Sequence, residues 1–144
     1  MKKNLSMLAY GVMVVGLWGL IANRAVFSPS PFVIVPQAGA MVLMVAARLA
    51  FGARSFHFAA NPTKGGLVTW GPYRFIRHPI YTSVCLFVVP GVVAHLSWEN
   101  VIFLGWILAG ASIRVRLEES FLLAEYPEYA DYSKKTWRMV PYVY

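Results

Sequence analysis

Charge is what this chain has least of. Only 13% of its 144 residues are Asp, Glu, Lys or Arg, and 58% are hydrophobic. An ordinary soluble domain carries about a quarter charged residues, and a domain this small cannot bury so large an apolar fraction. A soluble globule is thereby excluded in favour of a membrane protein. Acids are scarcer than bases, 6 against 13, leaving a net charge of +7. Cysteine is reduced to one residue, Cys85, which rules out a disulfide within the chain, and no paired Cys/His spacing suggests zinc. Inside an apolar segment, Cys85 reads as a small buried residue rather than a reactive thiol. There is no internal repeat and no low-complexity tract, and the length suits one domain.

Long apolar runs are what the chain has in abundance. Four stand out: Leu5–Ala22, about Phe32–Ala47 (extended past Arg48 to Gly52), Ile80–Leu96, and about Trp98–Ile113. Each approaches the ~20 residues that cross about 30 Å of hydrocarbon as a helix. Pro36 and Pro90 are tolerable there, because neighbouring membrane helices re-satisfy the freed carbonyls. Gly105, Ala109, Gly110 and Ala111 would let helix backbones approach closely. Lys2 and Lys3 before the first run resemble the start of a signal peptide. Asn23-Arg24 follows without a small-x-small cleavage site, so an uncleaved anchor is expected.

Charge gives an orientation. Four crossings put both termini and the middle loop on one side, which collects every Lys and Arg except Arg24. The excess places that side in the cytoplasm, with the inner membrane of a bacterium as the expected location. The basic charge is then topology plus attraction to anionic headgroups, and calls for no nucleic-acid partner.

Two cytoplasmic pieces hold the chemistry. The connector, about Ala53–Pro79, is punctuated by Asn61-Pro62, Gly65-Gly66 and Gly71-Pro72, which are turn signals. Its "GLVTW" stretch could pair as a short extended segment. The fourth helix is expected to run on past Arg114 until Tyr126-Pro127 stops it, followed by a short interfacial helix around Tyr129 and Tyr132. Trp137, Tyr142 and Tyr144 suit an aromatic belt. His57 and His95 read as structural. His78 differs, standing between Arg77 and Pro79 at the mouth of a helix whose first-turn amides attract an anion. Tyr81 lies on nearly the same helical face, and Tyr73 just before the cluster. Glu118 and Glu119 stand four and five residues after Arg114. By spacing they form either an intrahelical Arg114–Glu118 pair or a carboxylate and an arginine facing the two ends of a charged ligand.

Read together, "GGLVTWGPYRFIRHPIY" and "RVRLEESFLLAEYPEYADYSKKTWRMVPYVY" resemble the isoprenylcysteine carboxyl methyltransferase family and its bacterial relatives. The shared pattern is Gly-x-Tyr-x-x-x-Arg-His-Pro-x-Tyr, a helical hairpin, then Arg-x-x-x-Glu-Glu-x-x-Leu and a Tyr-x-x-Tyr tail. It covers about Asn61 to Tyr144. The resemblance implies an all-α integral membrane enzyme with about four transmembrane helices that uses S-adenosylmethionine. It also implies one domain over residues 1–144, with an N-terminal helix pair (1–52) and a cofactor-binding core (53–144). Carried over by motif position, Gly66, Leu67, Val68, Tyr73, His78, Pro79, Ile80, Tyr81 and Glu118 would line the cofactor pocket. Arg114 would orient the methyl acceptor, and Glu119 is a candidate proton acceptor. Ser83 departs from the glycine common after Tyr-x. The expected partners are membrane lipids and a lipophilic acceptor, with a carboxylate favoured. A phospholipid amine methyltransferase, an NADPH-dependent sterol-reductase-like enzyme and a non-catalytic scaffold remain as alternatives.

Overall fold

The computed structural model describes residues 2–52 and 66–141, and every structural statement below concerns these. His57, Tyr142 and Tyr144 lie outside them. The protein is helical: α1 (Lys2–Ala22), α2 (Pro31–Phe51), α3 (Pro79–Ala94), α4 (Trp98–Glu125) and α5 (Tyr129–Lys134), with a 3-10 turn at Gly71–Arg74.

Local chemistry sets the helix ends. Pro31 and Pro79 occupy first-turn positions, where a missing N–H costs nothing. Ser97 caps α4 by accepting the Asn100 N–H at 3.3 Å. The same helix ends at Tyr126, directly before Pro127, which disfavours helical geometry in the residue preceding it.

Helices α1, α2 and α4 are long and apolar enough to cross a membrane, and α3 is a shorter apolar helix of 16 residues. At 1.5 Å per residue α3 spans about 24 Å, less than the ~30 Å of hydrocarbon. Exposed Leu96 and Trp98 continue the apolar surface beyond it. With 28 residues, α4 is about 42 Å long and leaves the bilayer while still helical. The chain is an integral membrane protein.

Helix α1 runs chiefly along α4, and α2 along α3. Small residues decide this: a Cβ added at Gly110 would lie 2.6 Å from the Ala9 carbonyl oxygen, and one at Gly16 would lie 2.7 Å from that of Phe103. The α1 and α4 backbones are therefore in near contact. Met13, Leu20, Val88, Val92, Ile107 and Ala111 then close a core among α1, α3 and α4.

Polar side chains tie the end where α1 meets the α1–α2 loop. Gln37 donates to the Val26 and Phe87 carbonyls at 2.8 and 3.0 Å, and Asn23 donates to Asn100 at 3.0 Å. Beside them lies a cleft of about 400 Å³ lined by Asn23, Ser97, Glu99, Asn100 and Phe103. It contains none of the motif residues, which gather at the opposite end of the bundle.

Candidate functional site

The site starts from a strap. After α5 the chain returns to the start of α3 and lies parallel to it, bridging Ile76 and Trp137. The Arg77 and His78 N–H groups donate to the Trp137 and Arg138 carbonyls at 2.7 and 3.0 Å, and the Trp137 N–H donates to Phe75 at 2.9 Å. Thr82 adds a hydroxyl bond to the Met139 carbonyl at 2.7 Å. The extended pairing expected of "GLVTW" is thus found downstream, at Ile76, while Gly66–Thr69 is irregular.

Held this way, His78 is the N-cap residue of α3, and its side chain makes no capping bond to that helix. The imidazole instead points at α4, with Nδ1 3.6 Å from Glu118 Oε2 and Nε2 3.3 Å from Glu119 Oε1. Burial works against its charge, but bonds and attraction to the two carboxylates outweigh it and lift its pKa above the ordinary value.

The two glutamates have different surroundings. Glu119 is clamped: Arg77 Nε lies 2.9 Å from Oε1 and Arg138 Nη2 lies 2.8 Å from Oε2, with His78 as a third partner. Arg77 is itself held by the Ser133 carbonyl at 2.6 Å and by the Thr136 carbonyl. Glu118 is more open, with 24% of its side chain exposed. It accepts a short bond from the Tyr81 hydroxyl and faces Arg114 Nη2 at 3.5 Å.

Arg114 completes the network. Its Nε donates to the Tyr81 hydroxyl at 2.7 Å, so Tyr81 passes a polar contact from arginine to carboxylate. Its Nη1 reaches α1, donating to the Ser6 carbonyl and hydroxyl at 3.1 and 3.2 Å. The guanidinium also lies 5.3 Å from the Tyr10 ring centre.

Beside this network stands an apolar wall. Val68 and Tyr73 pack with Ala47 and Ala50 of α2, and Phe51 and Ile80 fill in around them. Burial, with Glu118 nearby, pushes the Tyr73 hydroxyl pKa well up, so it stays protonated. Tyr132 fixes the turn by donating to the Tyr73 carbonyl at 2.6 Å.

Of the residues singled out in the sequence, His78, Tyr81, Arg114, Glu118 and Glu119 form one connected polar network. Val68, Tyr73 and Ile80 form the wall, and buried Pro79 is the joint between the two. Leu67 and Gly66 (φ 79°) lead into the wall at the start of the described connector. Ser83 is buried with its hydroxyl turned back to the Ile80 carbonyl at 2.7 Å.

Sequence reasoning did not find Ser6, Tyr10, or the roles of Arg77 and Arg138. Ser6 is the one serine in α1, but the sequence does not mark the face of that helix that meets α4. In the sequence Arg77 and Arg138 stand out only as topological charge, because nothing in their spacing points to Glu119.

The family model described as phospholipid methyltransferase matches residues 37–129, well over half of the chain. Two curated bacterial proteins are also similar. The cobalt-zinc-cadmium resistance protein CzcN of Cupriavidus metallidurans is 32% identical over 77 residues, covering 52% of this chain and 35% of that protein. The nickel-cobalt-cadmium resistance protein NccN of Alcaligenes xylosoxydans xylosoxydans is 39% identical over 80 residues, covering 52% of this chain and 36% of that protein. The chain thus covers about a third of the length of these relatives. No solved structure matches.

Proposed function

The chain belongs to the phospholipid methyltransferase family, and from that premise we propose that it transfers a methyl group from S-adenosylmethionine to a lipophilic acceptor at the cytoplasmic membrane face. The observation that carries this reading is the network of His78, Tyr81, Arg114 and Glu118, which sets groups of both charges side by side at the end of the bundle where α4 runs on past the bilayer.

The donor set suits the cofactor. Glu118, partly open, can pair with an ammonium. His78, and the first turn of α3 that its side chain leaves uncapped, can receive a carboxylate. The wall of Val68, Tyr73 and Ile80 offers an apolar face for a ring, with Gly66, Leu67 and Pro79 as its approach. When bound, S-adenosylmethionine supplies a methyl group already activated on a sulfonium. What remains for the protein is to hold the acceptor and that methyl in line and to keep water out.

The acceptor follows from the glutamates. Both oxygens of Glu119 are engaged by Arg77, Arg138 and His78, so this reading makes Glu119 an anchor for the site rather than a proton acceptor. A protonated amine would then lack a base and would be repelled by Arg114. A carboxylate needs orientation only, which an arginine fork provides. A lipid amine is the second reading, favoured by the family description itself. The names of the two relatives concern metal resistance. Among the described residues no group of three or more His, Cys, Asp or Glu is arranged to hold a metal ion; methyl transfer is the reading that the family match supports.

Calorimetry with S-adenosylhomocysteine tests the assignment of Glu118. Glu118→Ala should weaken binding by roughly 1.5–3 kcal/mol, the worth of a charge-assisted bond. Unchanged affinity in a folded variant would remove Glu118 from the pocket. Acids and amines of matched chain length, assayed with radiolabelled cofactor, decide the acceptor. Methylation of the amines alone would overturn the carboxylate assignment.

A further inference from the structure

We propose that α1 completes the acceptor side of the site, with Ser6 as a positioning residue for the Arg114 guanidinium and Tyr10 as its wall toward the lipid. The inference rests on the methyl-transfer reading above and adds residues lying before position 37, outside the segment that the family match covers.

A guanidinium buried at the edge of a bilayer must be bonded on every side it presents, because its desolvation is otherwise uncompensated. Arg114 is 5% exposed and is held by three elements. Its own helix gives Glu118 at 3.5 Å, and α3 gives the Tyr81 hydroxyl at 2.7 Å. Neither contact by itself sets the rotation of the planar fork. The two bonds from Nη1 to the Ser6 carbonyl and hydroxyl do, because they tie the far nitrogen to a separate helix.

Ser6 is fully buried against α4, and so is Ala9, whose carbonyl meets Gly110. The serine therefore faces a fixed neighbour instead of a mobile side chain. Tyr10 is one turn further along α1. Its ring lies against the guanidinium, yet the residue is 39% exposed, so it separates the charge from hydrocarbon. The first turn of α1 is docked as well: Lys2 Nζ lies 3.4 Å from the Ser120 hydroxyl and 5.6 Å from the Phe121 ring centre. An acceptor headgroup that takes the place of Glu118 at Nη2, where the contact is 3.5 Å, would thus meet a guanidinium whose other nitrogens α1 and α3 hold.

The test uses full-length protein in nanodiscs, comparing wild type, Ser6→Ala, Ser6→Thr and Tyr10→Leu. Nitrogen-15 spectra of labelled arginine report the Arg114 guanidinium, assigned by its loss in Arg114→Lys. Tritiated S-adenosylmethionine and phosphatidylethanolamine–phosphatidylglycerol vesicles carrying oleic acid or oleylamine report turnover. S-adenosylhomocysteine calorimetry reports the cofactor site.

Ser6→Ala should broaden or merge the Arg114 nitrogen signals and lower kcat about tenfold, as expected for losing one bond to a charged group. Cofactor affinity should stay within about twofold, and Ser6→Thr, which keeps the hydroxyl, should restore both the spectra and kcat. Tyr10→Leu should shift the same signals by removing the ring. Wild-type spectra and turnover in Ser6→Ala would overturn the proposal. So would an equal loss of cofactor affinity and kcat, the mark of general loosening. If the wild type binds no S-adenosylhomocysteine, the methyl-transfer reading falls by itself, and the nitrogen spectra still decide whether Ser6 holds the arginine.

Discussion

At His78 the balance of burial against two carboxylates gives the site a pH dependence. The pKa is raised in the folded protein, so the imidazolium binds its proton more tightly there than in the unfolded chain. Its contribution to stability is fully present below the unfolded value of about 6.5 and is lost as pH rises through the folded value. Thermal unfolding in detergent between pH 6 and pH 9 should show the gap between wild type and His78→Gln narrowing as pH rises. A constant gap would mean that the imidazole is held neutral. His78, Tyr81, Arg114 and Glu118 were legible in the sequence because helical spacing puts Tyr81 beside His78 and Glu118 beside Arg114. Ser6 was not. Helix α1 is apolar on all sides, so its sequence does not say which face meets α4.

Among the elements, α4 decides the architecture, and two of its glycines separate close packing from mere smallness. Gly110→Ala would push a methyl to 2.6 Å from the Ala9 carbonyl and against Met13, and should destabilise by about 1–3 kcal/mol. Gly105→Ala meets nothing within 4 Å. It should be neutral or stabilising by up to ~1 kcal/mol through helix propensity. Unfolding of the two variants in the same detergent checks the contrast, and equal stabilities would contradict the α1–α4 contact. Helix existence and several ends were readable from the sequence: the run of α4 to Tyr126, the proline start of α3, and α5 around Tyr129 and Tyr132. Pairing was not readable, because Gly105 and Gly110 look alike until the neighbouring helix is known. Trp137 stands out in the sequence for its ring, whereas its backbone does the bridging to Ile76, and no side-chain pattern announces such a bond.

For the whole molecule, the one-sided basic charge predicts that both termini face the cytoplasm. In a Cys85→Ser background, Lys134→Cys should be shielded from an impermeant thiol reagent in intact cells, and Ser28→Cys should react. The opposite pattern would reverse the orientation and put the His78 network on the wrong side for cytoplasmic S-adenosylmethionine. Finally, the strap has a bearing on timing. A ribosome makes Arg77 and His78 about sixty residues before it makes the carbonyls of Ser133, Thr136, Trp137 and Arg138 that hold them. Helices α1 to α4 all precede those carbonyls in the chain, so that corner lacks its partners until the strap is made. The corner around Arg77 and His78 is therefore completed only after residues 133–138 have been made, later than the helices it joins.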